Sequence, residues 1–170
     1  DAEKGFGKQD KSIVDFVIDK GKGLIFVVNK WDLIKKETHT MNDFKDEIRY
    51  QFKSMGHYPL LFISALTKQR IHKVLETAWE VYDRSKNLTS TNKLNEALEQ
   101  IIFKNPPPAE QGKIIKIKYA TQVSRSPVVI ALYLNHPKLV KISYQRYIEN
   151  QLRQHFDFNG IPVRLSFRKK

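Results

Sequence analysis

Residues 29–32 read Asn-Lys-Trp-Asp and directly follow the apolar run Leu24–Val28. An amide, a cation and a carboxylate at this spacing make a hydrogen-bonding set for a flat heterocycle. One carboxylate, that of Asp32, can accept two adjacent N–H donors in bidentate fashion. Guanine offers such a pair at N1 and the exocyclic amine, and adenine does not. The Lys30 stem can lie along a base plane, and the Asn29 amide can bridge neighbouring loops. Side chains at the carboxyl end of a strand face the crevice where α/β sheets bind ligands. A second run, Pro59–Ile63, ends in Ser64-Ala65, where a backbone N–H can donate to the guanine carbonyl. Four residues of the NKxD type recur by chance, and a polar strand-to-loop turn gives the same letters. Context favours the base reader, because both motifs end apolar strands, in this order, with one helix between them.

Helical and strand periodicity supplies the elements that must hold these residues. Ile13, Phe16 and Val17 are spaced for one helical face over 9–20, which Gly21-Lys22-Gly23 ends. Leu24–Val28 reads as a parallel strand covered on both faces. Met41, Phe44, Ile48 and Phe52 make a second helical stripe, capped by Thr40 and stopped by Gly56. Ile71, Val74, Leu75, Ala78 and Tyr82 make a third. The order α-β-α-β-α predicts an α/β unit with parallel strands.

The polar stretch Ser85–Ser90 marks a boundary. Beyond it come a helix with Leu94, Ala97, Leu98, Ile101 and Ile102, and a stiff connector, Asn105-Pro106-Pro107-Pro108. Next are two strands, a helix with Tyr144, Tyr147, Ile148, Leu152 and Phe156, and a final alternating strand from Ile161 to Phe167. This is α-β-β-α-β, a small α+β unit. Strict alternation puts Ile115, Ile117 and Tyr119 on its core side, and Lys116, Lys118, Arg164 and Arg168 on the opposite face. Those four cations could bind phosphates, dock another domain or simply be solvated.

The composition, 41% hydrophobic and 28% charged, is that of a globular chain. Zero cysteines exclude disulfides and thiolate metal sites and fit a reducing compartment. The five histidines, at 39, 57, 72, 136 and 155, show no ligand spacing, so no metal ligand is assigned. No apolar run is long enough for a membrane span. The net charge of +12 is uneven. Residues 1–86 hold 16 Lys+Arg against 13 Asp+Glu, and residues 87–170 hold 14 against 5. The second half is thus the better nucleic-acid candidate.

Hydrolysis of a nucleoside triphosphate needs a phosphate cradle, a lysine on the phosphates and a hydroxyl on Mg²⁺. The pattern GxxxxGK[ST] does not occur: Gly7-Lys8, Gly21-Lys22 and Gly112-Lys113 continue into Gln9, Gly23 and Ile114. The Asp-x-x-Gly at Asp157–Gly160 follows NKxD instead of preceding it, so Gly160 reads as the stop of the helix before it. No catalytic residue is assigned. The chain, which begins at Asp1 without Met, reads as a piece of a longer protein.

The succession "LIFVVNKWDL", "LLFISALTKQRI", "LNEAL", "NPPP", "KIIKIKYATQV" and "YIENQLRQHFDFNGIPVRLSFRKK" resembles the C-terminal part of the Der family, also called EngA. The resemblance runs through essentially all 170 residues. It implies an α/β remnant of a Ras-like P-loop GTPase domain at residues 1–86, followed by an α+β KH-like domain at 90–170. It implies guanine contacts at Asn29, Lys30, Asp32, Ser64 and Ala65, with GTP or GDP bound in the intact parent and Mg²⁺ held by residues absent here. It further implies a cytoplasmic role in large ribosomal subunit assembly, with the subunit precursor, its rRNA and the parent's other GTPase domain as partners. The GxxG clamp of ordinary KH domains is absent. The alternative is a non-catalytic RNA- or protein-binding module whose α/β part is only a scaffold.

Overall fold

The computed structural model describes residues 1–35 and 39–170, and for Lys53 the backbone alone. Two compact units form. One is Asp1–Arg84 together with Asn159–Pro162, and the other is Ser85–Phe158 together with Val163–Lys170.

The first unit runs α1 (Lys8–Asp19), β1 (Phe26–Val28), α2 (Thr40–Gln51), a 3-10 turn (Lys53–His57), β2 (Leu60–Phe62) and α3 (Ile71–Lys86). β1 and β2 are parallel, with Phe26 opposite Leu60 and Val28 opposite Phe62. Asp10 accepts the Gly7 N–H at 2.9 Å at the start of α1. At its end Gly21 takes φ +64° and donates to Ile18 O, the left-handed exit that glycine adopts without strain. Thr40 is the first helical residue of α2 and not its cap, a position held by His39. Gly56 sits inside the 3-10 turn, since α2 has already ended at Gln51.

Phe26, Val28, Trp31, Ile48, Phe52, Met55, Tyr58 and Phe62 form the core of this unit. Phe26 meets the rings of Phe6, Phe52 and Tyr58 at about 6 Å between centroids. Three expectations of burial fail here. β1 alternates instead of being covered twice, with Val27 exposed between buried Phe26 and Val28. In α1 the buried residue is Val14, while Ile13 and Phe16 face outward. In α3 the buried residues are Thr77 and Val81, whereas Leu75 and Trp79 are 72% and 68% exposed. The physical reason is common to all three: a sheet of two strands offers only limited apolar support to its helices.

The second unit runs α4 (Thr91–Lys104), β3 (Ile117–Arg125), β4 (Val128–Leu134), a 3-10 turn (Pro137–Leu139), α5 (Ile142–His155) and β5 (Val163–Lys169). The sheet order is β3-β4-β5, antiparallel then parallel. Leu94, Ala97, Leu98 and Ile101 of α4, and Tyr144, Ile148 and Leu152 of α5, are buried, as are Val128, Ile130, Leu132 and Leu134 of β4. The Asn95 amide closes the outer edge of β3: it accepts the Ala120 N–H at 2.8 Å and donates to Ala120 O at 2.9 Å. The hydroxyls of Tyr144 and Tyr147 donate to Asn105 O and Ile101 O, which satisfies carbonyls at the end of α4.

Gly160 does not stop α5, which ends at His155. Its tetrapeptide is part of the first unit, where Gly160 O accepts from Leu24 N and Gly160 N donates to His57 O. A Cβ on Gly160 would lie 2.4 Å from Val81 Cγ2, and the residue has φ +82°. Both facts require glycine. Among the described residues, no helix is long and apolar enough to cross a membrane.

Candidate functional site

The carboxyl ends of β1 and β2 hold Asn29–Asp32 and Ser64–Ala65 side by side. Ile63 N donates to Val28 O, and Trp31 N donates to Ile63 O, both at 2.9 Å. Asn29 Oδ1 accepts two backbone N–H groups, from Lys30 at 2.8 Å and from Ala65 at 3.0 Å. It therefore ties the two loops together, as the amide was expected to do. Ser64 is fully buried; its Oγ accepts from Thr67 N, and its N–H donates to Gln69 O. The N–H groups of Ser64 and Ala65 thus both have internal acceptors. A guanine carbonyl at this loop would share the Ala65 donor with Asn29.

Lys30 takes φ +63°, a left-handed conformation that is uncommon outside glycine and concentrated at functional sites. Its ammonium pairs with Asp1 at 2.7 Å, and Ala2 N donates to Asn29 O at 2.8 Å. Asp1 was not foreseen as part of the site. The ion pair joins residues 29 apart in sequence, and no local pattern signals it. Trp31 packs into the core beneath this loop. It is 2% exposed, with its ring 4.4 Å from Phe62 and 5.5 Å from Phe44. It anchors the loop from below, with Lys30 exposed on one side of it and Asp32 half-buried on the other.

Asp32 is half-buried, and its Oδ1 is buried with no hydrogen-bond partner among the described residues. A desolvated carboxylate oxygen is costly unless a donor reaches it. The residues present therefore fit a ligand that brings N–H donors to this point.

In the second unit the register defines the open sheet face. Val129, Ala131 and Tyr133 of β4 lie opposite Arg164, Ser166 and Arg168 of β5, so Arg164 and Arg168 share that face. The β3 side departs from strict alternation. Ile117 pairs with Leu134, but Tyr119 pairs with Tyr133, and the register slips at Lys118. The slip moves Tyr119 from the expected core side to the open face, where it stacks on Tyr133 at 4.5 Å and 14°. Lys116 lies just outside β3 and is exposed; its backbone N–H donates to Asn135 Oδ1.

Residues 89–168 match the family model described as the KH-domain-like region of EngA bacterial GTPase enzymes, C-terminal. The whole chain aligns with curated relatives called GTPase Der: 43% identical in Chlorobium phaeobacteroides, 45% in Alkaliphilus metalliredigens and 45% in Amoebophilus asiaticus. Each alignment covers 100% of this chain and 39% of the relative. A solved structure of Aquifex aeolicus Era is 19% identical, with a TM-score of 0.40 over 99% of this chain and 62% of that one, too low to argue from. This chain is similar from end to end to the C-terminal part of GTPase Der, and its residues 89–168 match the model of the KH-like C-terminal region of that family.

Proposed function

We propose that these 170 residues are the guanine-reading and KH-like part of a longer GTP-binding, GTP-hydrolysing factor for assembly of the large ribosomal subunit. The observation that carries the guanine reading is the buried Oδ1 of Asp32, which has no hydrogen-bond partner among the described residues, beside loops joined by Asn29. In the intact protein Asp32 accepts the two donors of the base, and the Lys30 stem covers its plane. The phosphates and Mg²⁺ are left to residues outside this sequence, which lacks their motif. The outward apolar sides of α1 and α3 are then covered by the rest of the GTPase domain. The partners are the large-subunit precursor, its rRNA and the parent's other GTPase domain, in the cytoplasm. The ribosomal assignment rests on the likeness to Der, and the basic second unit supports an RNA partner.

The test uses the full-length parent with its other nucleotide site disabled. Asp32→Asn removes one acceptor and presents an N–H₂ to the guanine donors. GDP affinity falls by roughly 1.5–3 kcal/mol. Xanthosine diphosphate, which carries a carbonyl where guanine has its amine, binds more tightly to the variant than to the parent. Unchanged affinities for both in titration calorimetry would leave the scaffold reading, in which the chain is a non-catalytic binding module.

A further inference from the structure

The charges of the second unit are segregated. Its acids are Glu96 and Glu99 on α4, Glu110 in the connector, Glu149 on α5 and Asp157 after it. The three strands carry none. They carry Lys118, Arg125, Arg164, Arg168 and Lys169, and Lys170 follows directly. An anionic partner meets no like charge on this sheet.

The open face also holds aromatic surface. Tyr119 and Tyr133 are half-buried and stacked, with the Lys170 ammonium 5.2 Å from the Tyr119 ring centroid. Arg168 folds back on the same row: its Nε donates to Ser166 Oγ at 3.2 Å, and a terminal nitrogen lies 3.5 Å from the Tyr133 hydroxyl. Cross-strand aromatic pairs stabilise sheets, but that role does not call for cations gathered at the rings. Partly exposed tyrosines among lysines and arginines, on a sheet without acids, are the chemistry that proteins use to bind unpaired nucleotides. The rings stack on bases and the cations meet phosphates.

We propose that this face binds single-stranded nucleic acid. The Tyr119–Tyr133 pair stacks against a base, and Arg168 and Lys170 hold the flanking phosphates. The site deepens the RNA-contact part of the proposed function. It also supplies a means of binding single strands to a KH-like unit without a GxxG loop. It needs no nucleotide at Asp32.

The experiment measures fluorescence anisotropy of a labelled single-stranded oligoadenylate of about ten nucleotides with the full-length parent, over a series of salt concentrations. Tyr119→Leu and Tyr133→Leu each weaken binding about tenfold and leave the salt slope unchanged, because no phosphate contact is lost. Phe at either position restores the affinity. Arg168→Gln with Lys170→Gln flattens the slope by about 1.4, the loss of two phosphate contacts on a single strand. Thermal melts confirm that each variant is folded, and the Phe variants control for any that is not. Leu variants that bind RNA as the parent does overturn the proposal. So do Leu variants that keep RNA but lose a contact with protein, in which case the face docks a protein. If the parent itself binds no RNA, the RNA part of the proposed function falls with it, while guanine affinity tested at Asp32 stands or falls separately.

Discussion

The side-chain oxygen of Asn29 accepts the backbone N–H of Ala65 at 3.0 Å, across 36 residues of sequence. The same oxygen accepts its neighbour's N–H at 2.8 Å. One acceptor thus sets the distance between the two loops that flank Asp32. Asn29→Ala leaves two N–H groups without that acceptor. We expect a loss of roughly 1–2 kcal/mol in stability by denaturant melting, and weaker GDP binding in the full-length parent. Asn29→Asp keeps the acceptor and recovers most of the stability. An alanine variant that melts and binds like the parent would show that the loops are held by other contacts.

Gly160 and Val81 make a second sharp case. The glycine has φ +82°, and an added Cβ meets Val81 Cγ2 at 2.4 Å. Gly160→Ala combines a left-handed backbone with overpacking, at a cost of roughly 2–4 kcal/mol. Val81→Ala in the same chain removes the overlap but not the backbone strain. The double variant is then more stable than the sum of the single losses predicts. Strict additivity in urea melts would refute the contact.

Burial, with a smaller contribution from Tyr147, pushes the Tyr144 phenol up to about 12 from its ordinary value near 10. The folded state therefore keeps this proton longer than the unfolded state does. Its contribution to stability is complete below pH 10 and is lost as the pH climbs towards 12. A near-ultraviolet titration of phenolate absorbance should show a late-ionising tyrosine that Tyr144→Phe removes. If the variant keeps the late step, another tyrosine is responsible.

The 170-residue chain alone should hydrolyse no GTP above background in the presence of Mg²⁺, since the phosphate-binding pattern does not occur in it. Single-turnover assays on the purified chain check this directly. Turnover that survives repeated purification would mean that phosphate ligands exist in an unrecognised form.

Much of this protein was written locally. Apolar runs that end in Asn29–Asp32 and in Ser64–Ala65 placed two polar loops at strand ends, and the alternation of periods separated an α/β from an α+β unit. Gly21 announced the end of α1, because a left-handed exit is a property of the residue itself. Other features depended on distant partners. Trp31 sits inside a polar motif, and only the rings of Phe44 and Phe62 make it core. Tyr119 alternates perfectly with its neighbours, yet one extra residue at Lys118 turns it to the open face, because side chains change sides with every single-residue slip. The apolar stripe of α3 was legible, but which side of the helix is buried was not. Periodicity marks a face, and only the rest of the fold decides whether anything covers it. Gly160 looked like a helix stop, while the tertiary structure uses it where Val81 leaves no room for a side chain. That steric fact belongs to two residues 79 apart, and no window of sequence contains it.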